Sequence, residues 1–346
     1  MVFIKKRTIQ LLKWALVAVI IVIVVYTFRD SAGPVLNELK QTTFVVALGI
    51  CAMAVVYHIL EGFITTVLAR QYQPRFRLWT GIKNAFICSF YRVATLGSGA
   101  GVAALIYLGE HGVSYSTGFG LYMTQYAVHK SSIALFSMLF FALCFPFMQA
   151  HFAEYQWLLA AGYVLTAIIT LVLMLFACSV RFHKMLLSLL SFFNSKMRGR
   201  FDEPLIQLKE QCRMLEESSH VLLAKPCVMA GIAALNLIKF CFFYAIPYLS
   251  FYGQGSISLT QTMAVTSLSV MLAAVLPSPA GIGSTEFVFT TLLTGIVGTG
   301  AAGSSALLYR FGTFVFPFLV GGVIVIVRRI RRHSGYGRQQ EEKDEI

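Results

Sequence analysis

Long apolar runs separated by short basic stretches pattern this chain. Six of them read as full membrane spans, since ~30 Å of hydrocarbon takes about 20 helical residues. They are Lys13 to Phe28, Thr42 to Ala69, Ser116 to Phe147, Trp157 to Val180, Pro226 to Ser250 and Ser304 to Val327. Two further apolar stretches, residues 84–108 and 259–300, are interrupted near their centres. The first contains Thr95-Leu96-Gly97-Ser98-Gly99-Ala100-Gly101, whose three glycines each weaken a helix by ~1 kcal/mol relative to alanine. The second contains Pro277-Ser278-Pro279-Ala280-Gly281-Ile282-Gly283-Ser284-Thr285-Glu286, where two prolines preclude one continuous helix. A bilayer tolerates broken backbone only where protein or a water-filled cavity satisfies the freed polar groups, so each break marks a candidate site.

Composition agrees with that pattern: 57% of the 346 residues are hydrophobic and 12% charged, as in an all-α polytopic integral membrane protein. The net charge of +13 would suggest nucleic acid in a soluble protein, but its distribution follows the bias of Lys and Arg toward cytoplasmic loops. Of the 28 Lys and Arg residues, 22 fall in 1–13, 70–83, 181–225 and 328–346. A single crossing by 84–108 would put the basic 181–225 loop outside. A re-entrant hairpin, or two full spans, keeps it inside, and the same holds for 259–300. Both termini are then cytoplasmic, the first hairpin entering from the cytoplasm and the second from outside. Paired interrupted segments of this kind point to an inverted repeat with a midplane site. Small residues also serve ordinary helix packing, which is the alternative reading of the glycines.

Lys5, Lys6 and Arg7 resemble a signal-peptide start, but Thr27-Phe28-Arg29-Asp30 offers no small-residue cleavage site, so an uncleaved first helix is expected. Residues 1–327 form the transmembrane domain. Its 181–225 loop carries an amphipathic helix over Pro204 to His220, with Leu205, Leu208, Cys212 and Leu215 on one stripe, expected to lie on the membrane surface. The alternative is a topogenic loop without a specific ligand. Residues 328–346 form a charged cytoplasmic tail, from the basic Arg328 to Arg332 to an acidic end expected to be disordered. The seven cysteines are scattered without a C-x-x-C pair and read as small hydrophobes, not as a disulfide framework or metal ligands.

Six charges lie in apolar segments: Glu61, Arg92, Lys130, Lys239, Glu286 and Arg310. Each costs at least ~2.5–3.5 kcal/mol at a helix centre and needs a partner, water or a function. Glu61 shares a helix face with His58, Lys239 with Asn236, and Gln125 with His129. Glu286 opens the helix after the second break and is either a capping carboxylate or a buried partner of Arg310 or Lys239, or it acts in transport. Arg92 and Arg310 suit a phosphate, which an arginine grips bidentately and which helix N-termini at the glycine breaks also attract. Arg92 snorkelling toward the cytoplasmic face is the structural alternative. No nucleotide-binding loop, zinc signature or serine-nucleophile motif occurs, so no catalytic, metal or cofactor residues are expected.

Pro277-x-Pro-Ala-Gly281-Ile-Gly283-x-x-Glu286, followed by Tyr309-Arg310-Phe311 and Pro317-Phe318-Leu319-x-Gly321-Gly322, resembles the transmembrane region of the lysylphosphatidylglycerol synthase/flippase family, the multiple peptide resistance factors. The Gly97 to Gly101 stretch leading to Gly112-Val113-Ser114 resembles its other glycine-rich signature. The resemblance implies a flippase-like protein of the bacterial plasma membrane that moves an aminoacylated or other anionic phospholipid-derived lipid between leaflets, altering surface charge and resistance to cationic peptides. On a flippase reading an anionic headgroup is expected to enter between the two breaks, its charge compensated by Arg92, Lys239 and Arg310 and by the Gly97, Gly99, Gly101, Gly281 and Gly283 backbone. Glu286 then either neutralises a lysyl group or holds Arg310. Two departures stand out. The first signature has Gly101-Val102-Ala103-Ala104 where the family often has Gly-Glu followed by Arg, and no soluble synthase domain follows the membrane region before Ile346. No use of lysyl-tRNA and no direct nucleic-acid binding are therefore expected. Two other readings stay open. One is a phosphatidylglycerol lysyltransferase activity, or a membrane subunit partnered by a separate transferase; the other is an ion-coupled small-solute transporter using His58, Glu61 and Glu286.

Overall fold

Within a bilayer the backbone has to pair its own polar groups, so uninterrupted apolar runs become helices and glycine or proline clusters become the points where helices stop. The computed structural model describes residues 42–196, 201–251, 256–276, 278 and 281–344, with Asn37 and Lys40, and these contain no strand. Five helical stretches are long and apolar enough to cross a membrane: Phe44–Ala69, Tyr115–Leu143, Phe145–Cys178, Pro226–Phe251 and Thr299–Arg331. They answer five of the six expected spans, and the chain is an all-α polytopic membrane protein. The remaining expected span, Lys13 to Phe28, lies outside the described residues together with Lys5, Lys6, Arg7, Arg29 and Asp30.

In chain order the helices are α1 (Phe44–Ala69), α2 (Leu78–Ala94), α3 (Ala100–Gly109), α4 (Tyr115–Leu143), α5 (Phe145–Phe152), α6 (Gln156–Cys178), α7 (Val180–Lys196), α8 (Asp202–Leu223), α9 (Pro226–Tyr244), α10 (Tyr248–Phe251), α11 (Leu259–Ala273), α12 (Ser284–Val297), α13 (Thr299–Arg310) and α14 (Phe316–Asp344). A π-helical segment, Phe311–Val315, joins the last two. Pro317 accounts for it: without an N–H, proline cannot close the regular bond to the carbonyl four residues back, and the ladder slips.

The two interrupted stretches form α2–α3 and α11–α12, and the arms of each pair pack on one another. Their 17, 10, 15 and 14 residues rise by roughly 15–26 Å, all short of a ~30 Å crossing. The first pair also returns to its starting level, because Lys83 near the start of α2 and His111 just past α3 line the same cleft.

The described residues divide into two compact units, those within 1–53, 135–166 and 243–312 and those within 54–134, 167–242 and 313–346. The α11–α12 pair belongs to the former and the α2–α3 pair to the latter. In the α11–α12 unit, Ile50, Ile246, Leu308 and Tyr309 form a core, Phe289 stacks on Tyr309, and α11 is buried over most of its length. In the α2–α3 unit, Ile64, Leu68, Phe76, Leu108, Leu121 and Leu222 cluster. There α14 lies directly against α2: a Cβ on Gly321 would sit 2.3 Å from the Phe86 carbonyl oxygen, a backbone approach that only glycine permits.

Within residues 181–225, α7 packs against α8. The expected amphipathic helix is present as α8, but Cys212 and Leu215 on its stripe are buried inside the protein instead of facing headgroups. Part-buried hydrogen bonds hold these helices and α6 together. Asn194 donates to Asp202 Oδ1 (2.6 Å), Phe201 N donates to Asn194 Oδ1 (2.8 Å), and the buried His183 ring meets Glu216 Oε1 (3.2 Å) and Phe176 O (2.6 Å). Arg198 and Arg200 lie outside the described residues. The tail also differs from expectation, since α14 continues to Asp344. Extending an existing helix adds one bond per residue without a new nucleus, and Gln, Glu and Lys are good helix formers.

Candidate functional site

At the second break, Pro277, Pro279 and Ala280 lie outside the described residues, and the geometry begins at Ser278 and Gly281. Gly281 and Gly283 hold φ of +73° and +84°, left-handed values that other residues reach only with strain. These turns bring Gly283 to the start of α12, where its N–H donates to Glu286 Oε2 at 2.9 Å. Ser278 and Ser284 hydroxyls meet at 2.6 Å across the turn. From the last turn of α13, Arg310 completes the arrangement. Its Nε lies 2.6 Å from Glu286 Oε1, and its Nη2 donates to Glu286 Oε2 at 3.0 Å and also to the Gly281 carbonyl. Glu286 is thus both the helix cap and the partner of Arg310, two roles the sequence left as alternatives. The pair is about four-fifths buried on each side, with side-chain exposures of 14% and 19%. One carboxylate and one guanidinium therefore clasp the broken backbone beside the π-helical segment.

At the first break the freed polar groups are satisfied locally. Thr95 Oγ1 donates to Tyr91 O and accepts from Gly99 N, both at 2.6 Å, and Gly97 N donates to Arg92 O at 2.7 Å. Gly97 takes a φ of +102°, and Leu96 takes +52°, a strained value for a bulky side chain. Gly101 faces the Tyr122 ring, which would stand 3.0 Å from an added Cβ. Arg92 is exposed in the last turn of α2, about 21 Å of helix rise beyond Leu78, where the negative end of the helix dipole favours a cation. That is the far end of the hairpin from its mouth. Lys130 lies half-buried near Tyr126, 5.6 Å from the ring centroid.

A third cluster joins the polar pairs that the sequence presented separately. Lys239 is fully buried, and its ammonium donates to Glu61 Oε2, to Asn236 Oδ1 at 2.6 Å and to His129 Nδ1 at 3.1 Å. Glu61 Oε1 accepts from Gln125 Nε2 at 2.8 Å, and Gln125 Nε2 also reaches Thr65 Oγ1 at 3.1 Å. The Tyr57 and Phe240 ring centroids stand 5.1 and 5.0 Å from the ammonium. All three Lys239 donors are therefore engaged, which offsets the cost of its burial. Glu61 was expected to need a partner, water or a coupling role, and its pairing with Lys239, 178 residues away, leaves no sequence signal beyond the rarity of intramembrane charge. His58, on the same helix, turns elsewhere: it bonds Ala54 O at 2.8 Å and Ser89 Oγ at 3.0 Å and stacks on Phe86.

The expected site residues thus form three groups. Gly281, Gly283, Glu286 and Arg310 make one; Arg92, Gly97, Gly99 and Gly101 surround the other break; Lys239 belongs to the Glu61 network. Compared with known protein families, residues 11–321 match the family described as the lysylphosphatidylglycerol synthase TM region. No curated protein matches the chain.

Proposed function

The chain belongs to the family of lysylphosphatidylglycerol synthase transmembrane regions, and from that membership we propose that it translocates an anionic phospholipid-derived, lysylphosphatidylglycerol-like lipid between leaflets. The observation that carries this reading is the Glu286–Arg310 clasp on the broken backbone of Gly281 and Gly283. A lipid headgroup crossing hydrocarbon needs replacements for its water, and the clasp offers them in both signs. A lipid phosphate can draw Arg310 away from the carboxylate, while a lysyl ammonium can take its place on Glu286. Arg92, exposed at the other break, is a cation without a carboxylate partner among the described residues. Lys239, with every donor engaged, holds its helices together in this reading.

The test is headgroup translocation in vesicles reconstituted with the purified chain. Glu286→Gln and Arg310→Ala are each expected to abolish it while the protein remains folded, and normal translocation by both overturns the proposal. The Glu61–Lys239–His129 network favours a second reading, an ion-coupled transporter of a water-soluble substrate. It predicts uptake that follows an imposed pH gradient and is lost in Glu61→Gln. Formation of lysyl lipid by the purified chain from lysyl-tRNA and phosphatidylglycerol would instead favour a transferase.

A further inference from the structure

A cleft of about 490 Å³ opens where the ends of the α2–α3 hairpin meet α14. It lies apart from the Glu286–Arg310 clasp in the chain, and the translocation reading makes no use of it. Lys83, His111, Arg328 and Arg331 all line it. Glu110 pairs with Arg328, whose guanidinium lies 4.6 Å from the centroid of the Tyr107 ring. Lys83 and Arg331 are exposed and have no carboxylate partner among the described residues. Counting Lys83, Glu110, Arg328 and Arg331, the cleft therefore carries two uncompensated positive charges.

Its remaining wall is apolar. Val323, Ile324 and Val327 line the cleft, and the exposed Ile326 lies beside them on the same helix. The apolar stretch Thr299–Arg331 ends at this level, so the basic rim falls where hydrocarbon gives way to headgroups. An apolar wall below a basic rim matches a phospholipid, acyl chains along the helix and phosphate among the cations. We infer that this cleft holds the phosphate of an anionic phospholipid, which ties the two ends of the re-entrant hairpin to α14. A free phosphate shares the headgroup chemistry but makes no use of the apolar wall.

The test measures lipid retained by the full chain, by native mass spectrometry, after reconstitution with phosphatidylglycerol or phosphatidylcholine. The chain is expected to keep phosphatidylglycerol in preference, and less of it as salt is raised. The double variant Lys83→Gln/Arg331→Gln, which removes exposed side chains and leaves Arg328 on Glu110, should weaken retention by about 30-fold, the loss expected for two basic residues near an anionic surface. Its thermal unfolding in lipid-free detergent should match that of the parent chain. Equal retention of the two lipids, or undiminished phosphatidylglycerol on the double variant, overturns the inference. Protection by millimolar inorganic phosphate without selective lipid retention assigns the cleft to a soluble anion and also overturns it. Translocation is not read in this experiment, so its outcome is separate from that of the proposed function.

Discussion

Lys239 shows how a single residue can be legible in type and illegible in role. An ammonium within an apolar run calls for a partner, but which of the distant carboxylates supplies it depends on helix packing. The structure gives it Glu61. Removing one member of such a pair leaves a buried charge uncompensated, at a cost of about 3–5 kcal/mol, whereas replacing both with apolar groups is often neutral. Lys239→Met is therefore expected to lower stability strongly, and Lys239→Met combined with Glu61→Leu to recover most of it. Thermal unfolding in detergent across the double-mutant cycle reads the coupling, and additive losses would argue against a paired network. Glu286 is different, since its capping role was readable from its place three residues after Gly283. Its pairing with Arg310 was one of the open alternatives, and the turn geometry showed that one carboxylate serves both roles.

Among the elements, the glycine and proline clusters announced where helices stop. They did not announce how the break is paid for in hydrogen bonds, which at the first hairpin falls to Thr95. Nor did the apolar stripe of α8 reveal its cover, because a helix face turned toward lipid and one turned toward another helix have the same period. Close packing of α14 on α2 gives a direct test. Gly321→Ala would drive a Cβ into the Phe86 carbonyl, backbone that cannot swing aside, and is expected to destabilise by about 1–3 kcal/mol. Gly231 in α9 has nothing within 4 Å of an added Cβ, so Gly231→Ala should be neutral or stabilise by up to ~1 kcal/mol. Equal thermal shifts for the two variants would contradict the packing.

For the whole molecule, the basic loops give an orientation that can be measured. On a cysteine-free background, single cysteines placed at Gln73 and Lys196 should react only with reagent that has entered the cell, and one at Ser256 should react from outside. Labelling of Gln73→Cys and Ser256→Cys from the same side would overturn this topology. The sequence by itself determined the membrane class, the five described spans and the positions of both breaks, because hydropathy and helix-breaking residues act locally. The family followed from motifs that are also local. Tertiary structure alone decided that Glu61, Gln125, His129, Asn236 and Lys239 form one network, that Arg310 closes on Gly281 and Glu286, and that Lys83 and Arg331 share a cleft. Charges in hydrocarbon choose partners by proximity in space, and helix packing sets that proximity across separations a sequence window does not span.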